Sequence, residues 1–469
     1  MTDARRRLAL ATFVSFAVLG VVGCDEDCCT VDSLPVPLAR APLGGATGPG
    51  ALLTRARLAG STTSFPMVVD TASPITVITE PKQSTTPARR DFEVLDAVTL
   101  DPVSVRGRFH DIGVFSLPTG TAGDAATTTG GVFGGDLLRS FSVEMRFAQA
   151  CATDTCSSWT FWRHQGADLG VLGTAGYAVL RFNLAGGGET TALNSPDDFG
   201  IHAPVTLPAT RVLLRACAKP DAFSVNDTPQ TCCTRGAEVT QSSGVDLALV
   251  LATGTGPLVL SQSAWKRLLP KLDAAPAMSS GPLLIASWPV SIAASWTTIP
   301  RLALVDLESA TTSDPGPCVE LARARRIRWV ANQQAMNAQT AACVQVCDTD
   351  PNEPALAQNS AAYVELGGAI PVAVIADDED LLQSLRFDVR PVGPEIDGLM
   401  GAGALGPTRI ELDYLSSPAR AIISCEEGTP EATCYATSRC PRLPDHTQKH
   451  VCFGLPPTGL PTMCAPSGC

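Results

Sequence analysis

Apolar residues come in short runs broken by Gly, Pro, Ser and Thr, which predicts strands and turns with few helices. One run sets the pattern. Leu249–Leu260 (LVLATGTGPLVL) reads as strand, tight Thr-Gly-Thr turn, strand. Met67–Ile78 (MVVDTASPITVI) aligns with it without a gap, Asp70 against Ala252. A second signature, Gly131–Phe147, recurs without a gap as Gly398–Tyr414. It matches Gly131 to Gly398, Gly134 to Gly401, Leu138 to Leu405 and Glu144 to Glu411. Two signatures repeated in the same order predict the duplication of a whole lobe.

The other elements fall around these four stretches. Ala51–Leu58, a Gly-Ser-Thr-Thr turn and Phe65–Val69 form a hairpin that delivers Asp70 to its turn. Thr99–Leu117 gives more short strands. Thr210–Ala218 and Gly244–Leu251 are strands, and Ser261 caps a helix over 262–272 with Trp265, Leu268 and Leu269 on one face. The signatures lie 61 residues apart in the first copy and 146 in the second. The second copy therefore carries an insertion, placed near 317–347 and read as helical, with Cys318, Cys343 and Cys347 positioned to staple it. The last strand is Ala419–Ser424. The resulting division is a signal segment 1–23, a Pro/Gly/Ala-rich tether 24–50, lobes at 51–204 and 205–425, and a Cys-rich tail 426–469. The tail reads as a small disulfide-held cap.

The N-terminus changes where this fold is expected to work. Arg5-Arg6-Arg7 precedes an apolar stretch from Leu8 to Val22 that is too short for a good membrane span. It ends in Val21-Val22-Gly23-Cys24, which resembles a bacterial lipobox. That resemblance implies cleavage before Cys24, acylation of its thiol and attachment to a membrane of the cell envelope. Setting Cys24 aside leaves 16 of 17 cysteines, an even number that suits an oxidising compartment. Cys151 with Cys156 and Cys343 with Cys347 are local candidates for pairing. No C-x2-C pair occurs, which argues against zinc. The net charge of −12, without a long basic run, argues against nucleic acid.

The Asp-Thr-Ala-Ser turn, the apolar-apolar-Gly signature after it and the repetition of both resemble the pepsin-like aspartic peptidases over roughly 50–425. The resemblance implies a mostly β, two-lobed double β-barrel with short helices and a helical insertion in the second lobe. It makes Asp70 the catalytic candidate, with Thr71 and Ser73 supporting its turn. It makes Ala252-Thr253-Gly254-Thr255 a degenerate second site, where the family has a second Asp. Paired-carboxylate hydrolysis needs both acids, because two close carboxyls share one proton: one activates water and the other protonates the substrate carbonyl. A lone Asp70 is expected to titrate near the free carboxyl value of about 3.9 and to be ionised at neutral pH with no acid beside it; the plainer alternative is a solvated Asp in a Thr/Ser-rich turn. Other departures agree. Ala72 replaces a turn glycine, no Tyr lies between Asp70 and Gly131, and Gly256-Pro257 stiffens the second exit.

Competing chemistry is thin. Gly401-Ala402-Gly403-Ala404-Leu405-Gly406 matches G-x-G-x-x-G, but the following residues read as a strand where a dinucleotide site needs a helix. No Gly-x-Ser-x-Gly elbow occurs. His446 and His450 read as surface residues of the tail. The acidic run at Asp377–Asp380 lacks a calcium-loop pattern. No cofactor is expected. The expected role is binding an extended peptide or polymer in the inter-lobe cleft. The alternatives are an active endopeptidase centred on Asp70, including pairing of two chains' Asp70 turns, and a structural envelope lipoprotein.

Overall fold

The computed structural model describes residues 33–41, 51–74, 76–80, 88–95, 105–118, 130–139, 142–147, 157–162, 177–185, 190–192, 204–206, 210–219, 244–285, 291–306, 316–322, 324, 362–389, 395–414, 419–426, 428–430, 432–437, 450–452 and 464–466. Cys24, Cys151, Cys156, Cys343, Cys347 and His446 lie outside them.

The first lobe is built from β1 (Ser33–Ala41), β2 (Ala51–Leu58), β3 (Ser64–Val69), β4 (Thr76–Glu80), β5 (Ala88–Leu95), β6 (Val105–Pro118) and β7 (Gly131–Phe133). It continues with β8 (Ser142–Arg146), β9 (Ser157–Trp162) and β10 (Tyr177–Arg181). Three short strands follow: β11 (Asn183–Ala185), β12 (Thr190–Ala192) and β13 (Pro204–Thr206). The second lobe holds β14 (Arg211–Ala218), β15 (Val245–Ala252), β16 (Leu258–Ser261), β17 (Ser279–Leu283), β18 (Ile292–Val305), β19 (Tyr363–Ile375) and β20 (Gly398–Gly401). β21 (Thr408–Asp413), β22 (Arg420–Cys425) and β23 (Cys434–Thr437) complete it.

Two barrels of six strands result, and their orders correspond one to one. The first runs β2-β3-β7-β4-β6-β5 and closes through β2 with β5. The second runs β14-β15-β20-β16-β19-β18 and closes through β14 with β18. The registers correspond as well. Met67 pairs with Gly131 in parallel, as Leu249 pairs with Gly398, and Val77 opposes Val132 as Val259 opposes Leu399.

A six-stranded antiparallel sheet, β1-β9-β8-β21-β22-β10, joins the lobes. At its centre Glu144 pairs with Glu411, the two residues that the repeat makes equivalent. Exchanging each residue for its counterpart carries this ladder into itself: Ser142 opposite Asp413 becomes Arg409 opposite Arg146. A local two-fold axis therefore passes through the Glu144–Glu411 pair.

β15 shows how sequence pattern becomes core. Its nearly unbroken apolar run suits a strand covered on both faces. Leu247, Leu249 and Leu251 pack into the main core, while Ala248, Val250 and Ala252 pack into a second cluster with Ile292, Trp296, Leu382 and Leu399. Gly398 is fixed by the crossing at β20, where a Cβ would lie 1.8 Å from the Val259 carbonyl oxygen. Ser261 caps the helix Gln262–Leu268 by accepting from the Ala264 N–H at 3.1 Å.

Several expectations change. The stretch read as a tether contains β1, which pairs with β2 and β9 because its backbone completes the shared sheet. Thr99–Leu117 gives one 14-residue strand, β6, in place of several. β12 and β13 pair across the expected lobe boundary at 204. Leu269 is exposed, since the helix ends at Leu268 and the chain turns through Leu269–Lys271 around Pro270. Within the insertion, 317–322 is helical, and Cys318 bonds to Cys217 of β14. The tail is more than a cap: β23 pairs with β19, and Cys434 is bonded to Cys425.

Candidate active site

The two turns meet at the lobe interface through a reciprocal set of hydrogen bonds. Thr71 Oγ1 donates to the Leu251 carbonyl at 2.8 Å, and Thr253 Oγ1 donates to the Val69 carbonyl at 2.7 Å. Each hydroxyl also accepts from the other turn: the Thr71 N–H reaches Thr253 Oγ1 at 3.1 Å, and the Thr253 N–H reaches Thr71 Oγ1 at 3.3 Å. All four bonds obey the same two-fold relation as the shared sheet. Both threonines are fully buried. The N–H and hydroxyl groups of Thr71 and Thr253 and the Val69 and Leu251 carbonyls are thus satisfied across the interface, which fixes one turn against the other.

Asp70 stands at the head of the first turn, held by the Phe133 carbonyl accepting its N–H at 3.0 Å and by the Ser73 N–H bonding to its carbonyl at 3.2 Å. Its carboxylate Oδ1 accepts from the Ala72 N–H at 2.9 Å and from the Gly254 N–H of the other lobe at 3.2 Å. A Cβ on Gly254 would lie 2.4 Å from Asp70 Oδ2, so only glycine allows this approach. Asp70 has 0% exposure, which overturns the picture of a solvated acid in a surface turn. The two lobes pack their turns closely enough to remove water from it.

The second turn keeps its shape. The Thr255 N–H bonds to the Ala252 carbonyl at 3.3 Å, the counterpart of the Ser73–Asp70 bond. The Ala402 and Gly403 N–H groups bond to the Thr255 and Gly256 carbonyls at 2.8 and 2.6 Å. These bonds account for the G-x-G-x-x-G residues as turn support, and β21 follows them as a strand. The Ala252 methyl is fully buried in the apolar cluster that also holds Ala72. Thr255 Oγ1 is buried and has no hydrogen-bond partner among the described residues.

Arg211 and Asp136 were not legible as site residues. The Arg211 Nε–H donates to the Ala72 carbonyl at 3.0 Å, reaching from the second lobe to the first turn. Asp136 braces the start of β4, accepting from the Thr76 N–H at 3.0 Å and its hydroxyl at 2.8 Å. Burial raises its pKa, opposed by the bonds from Thr76 and Leu137. Asp136 lies within the repeated Gly131–Phe147 signature, but nothing in the sequence marked its role at the Thr76 backbone and hydroxyl, and nothing marked Arg211, which acts through a backbone carbonyl of the other lobe. Among the described residues, no group of three or more His, Cys, Asp or Glu could hold a metal ion. Asp377, in the acidic run, accepts from the Ser263 N–H and hydroxyl at 3.0 and 2.7 Å.

No family model matches the sequence, and no curated protein matches it. Among solved structures the chain is similar to an aspartic proteinase from Irpex lacteus. The identity is 12%, the TM-score 0.37, and the match covers 86% of this chain and 99% of that one. It is also similar to the structure of edgp, with 11% identity, a TM-score of 0.35, and coverage of 84% and 95%. The two-lobed, mostly β, pepsin-like arrangement rests on the paired barrels, their matched registers and the two-fold ladder.

Proposed function

We propose that this is a lipid-anchored envelope protein whose pepsin-like scaffold does not hydrolyse peptides and binds an extended peptide or polymer between its lobes. The observation that carries the loss of hydrolysis is Ala252, fully buried among apolar side chains at the two-fold counterpart of Asp70. The turn scaffold supports descent from a working site. Four reciprocal bonds position two turns for two carboxylates, and one carboxylate is missing. The unpartnered Thr255 hydroxyl fits the same history, because an acid at 252 would start the turn that ends on it. In the parent the turns close over Asp70, so a ligand between the lobes lies over them; a carboxylate in place of the Ala252 methyl would break that apolar closure and admit water to the pair. The anchor rests on the Val-Val-Gly-Cys24 pattern alone.

The test is restoration. The protein and its Ala252→Asp variant are incubated with a peptide library between about pH 3 and 5, where a carboxyl pair holds one proton. The expected outcome is no cleavage by the parent and measurable cleavage by Ala252→Asp, abolished by adding Asp70→Asn. Cleavage by the parent that disappears in Asp70→Asn would sink the proposal and establish the endopeptidase reading. Saturable peptide binding by the parent without turnover supports the binding role. For the anchor, Cys24→Ser should move the protein from the membrane to the soluble fraction.

A further inference from the structure

The Cys-rich tail ends in a small ladder of its own. β24 (His450–Cys452) and β25 (Cys464–Pro466) are three-residue strands that pair antiparallel. His450 lies opposite Pro466, Val451 opposite Ala465, and Cys452 opposite Cys464. Among the described residues no third strand extends this sheet. An isolated two-stranded ladder is marginal in water, and this one has only three pairs. Eleven residues, Phe453–Met463, separate the two cysteines. That connection is longer than the tight turns that fix the register of a hairpin, so the pairing needs another brace.

A proline settles which kind of pair the cysteines make. Antiparallel ladders alternate pairs that exchange both main-chain hydrogen bonds with pairs that exchange none. Pro466 has no N–H, so the His450–Pro466 pair is of the second kind. Two positions along, Cys452–Cys464 is of the second kind as well. Such pairs hold their Cα atoms about 4.5 Å apart. A disulfide spans Cα separations of about 4.4–6.8 Å. The rest of the chain agrees. Cys425 and Cys434, at the start of the same tail, are bonded to each other, as Cys217 is to Cys318. With Cys24 set aside, a third bond would leave ten of the remaining sixteen cysteines, again an even number.

We propose that Cys452 and Cys464 form a disulfide that closes the end of the tail into a ring. The oxidant is the disulfide of a thiol–disulfide exchange protein. One cysteine thiolate attacks it, giving a mixed disulfide and a first carrier thiol. The thiolate of the second cysteine then displaces the other carrier sulfur. The two cysteines lose two electrons and two protons, and the carrier disulfide takes them up as two thiols. His450 shares the face of the cysteines by the two-residue period, so a metal held by two thiolates and an imidazole is the competing use of these positions. The bonded pair at Cys425 and Cys434 favours the disulfide. The bond is independent of the inter-lobe reading.

The test is mass spectrometry of the full chain, exported on its own signal and purified without reductant. The protein is denatured with a chelator and iodoacetamide, which marks every free thiol. Cyanogen bromide then cuts after Met463 and trypsin after Lys449. Fragments 450–463 and 464–469 are expected to stay joined until reduction, which separates them and adds two hydrogens to their combined mass. Backbone cleavage between Cys464 and Cys469 in the tandem spectrum should place the bond on Cys464. Three results would each overturn the proposal: iodoacetamide label on Cys452 or Cys464 in most chains, separation of the fragments before reduction, or a bond from either residue to Cys440, Cys469 or another cysteine. Labelled thiols together with zinc in the untreated protein would assign the positions to a metal.

Discussion

At the scale of single residues, the interface between the turns is decided by what is small. Gly254 lets its own N–H approach Asp70, and Ala252, the two-fold counterpart of Asp70, fills a place in an apolar cluster. Gly254→Ala should destabilise the protein by about 1–3 kcal/mol through overpacking against the carboxylate. Asp70→Ala should relieve much of that cost, so a double-mutant cycle in urea should show coupling of at least about 1 kcal/mol. Additive effects would mean that the two residues do not touch. The Asp-Thr-Ala-Ser turn was legible because a strand-turn-strand with Thr and Ser at fixed offsets repeats. Its burial was not, because nothing local to 67–78 says that a second turn 182 residues away closes over it.

At the scale of elements, the insertion and the tail show what sequence spacing leaves open. Cys217 and Cys318 are 101 residues apart, and no spacing rule joins them. They are brought together because the helical stretch at 317–322 starts on β15, where the Cys318 N–H bonds to Asp246 at 2.8 Å. Replacing both with Ala should cost about 2–5 kcal/mol, since a loop of this length leaves the unfolded chain far freer without its crosslink. Chemical denaturation under oxidising conditions measures it. Glu426, just past β22, offers a pH test. Burial is the main cause of its raised pKa; Arg146 and Arg409 oppose it, and Glu144 adds to it. A carboxyl with a raised folded pKa holds its proton more tightly when folded, so stability falls as pH rises from its ordinary value of 4.5 through the raised one. Glu426→Gln should flatten that fall in a series of thermal midpoints against pH. An unchanged slope would show that another group sets it.

At the scale of the whole molecule, the two lobes are one body because their sheet is shared and its centre is charged. Arg409 Nη2 meets Glu144 Oε2 at 2.5 Å with both side chains buried, and Ser142 Oγ donates to Glu411 Oε1 at 2.8 Å. Glu144 also accepts from Arg146 Nε at 3.2 Å, so removing Arg409 leaves it one counter-charge. Arg409→Leu should therefore cost less than the about 3–5 kcal/mol of a buried pair broken outright, and adding Glu144→Leu should recover part of it. Equilibrium unfolding of the single and double variants tests both statements.

The chain by itself determined the duplication, the strands around each motif and the absence of a second acid, because these are properties of residue order and of period-two burial that each segment carries alone. It pointed to the lobes but misplaced their edges: β1 lies in a segment too rich in Pro and Gly to read as a strand, and it is a strand because a sheet edge awaits it. Tertiary structure alone decided that Asp70 is sealed from water, that Thr71 and Thr253 exchange bonds across the lobes, and that Glu144 and Glu411 meet on the two-fold axis. Each depends on which distant backbone groups come to rest opposite one another. The hydrogen-bonding demand of buried main chain settles that only once both lobes are folded and packed.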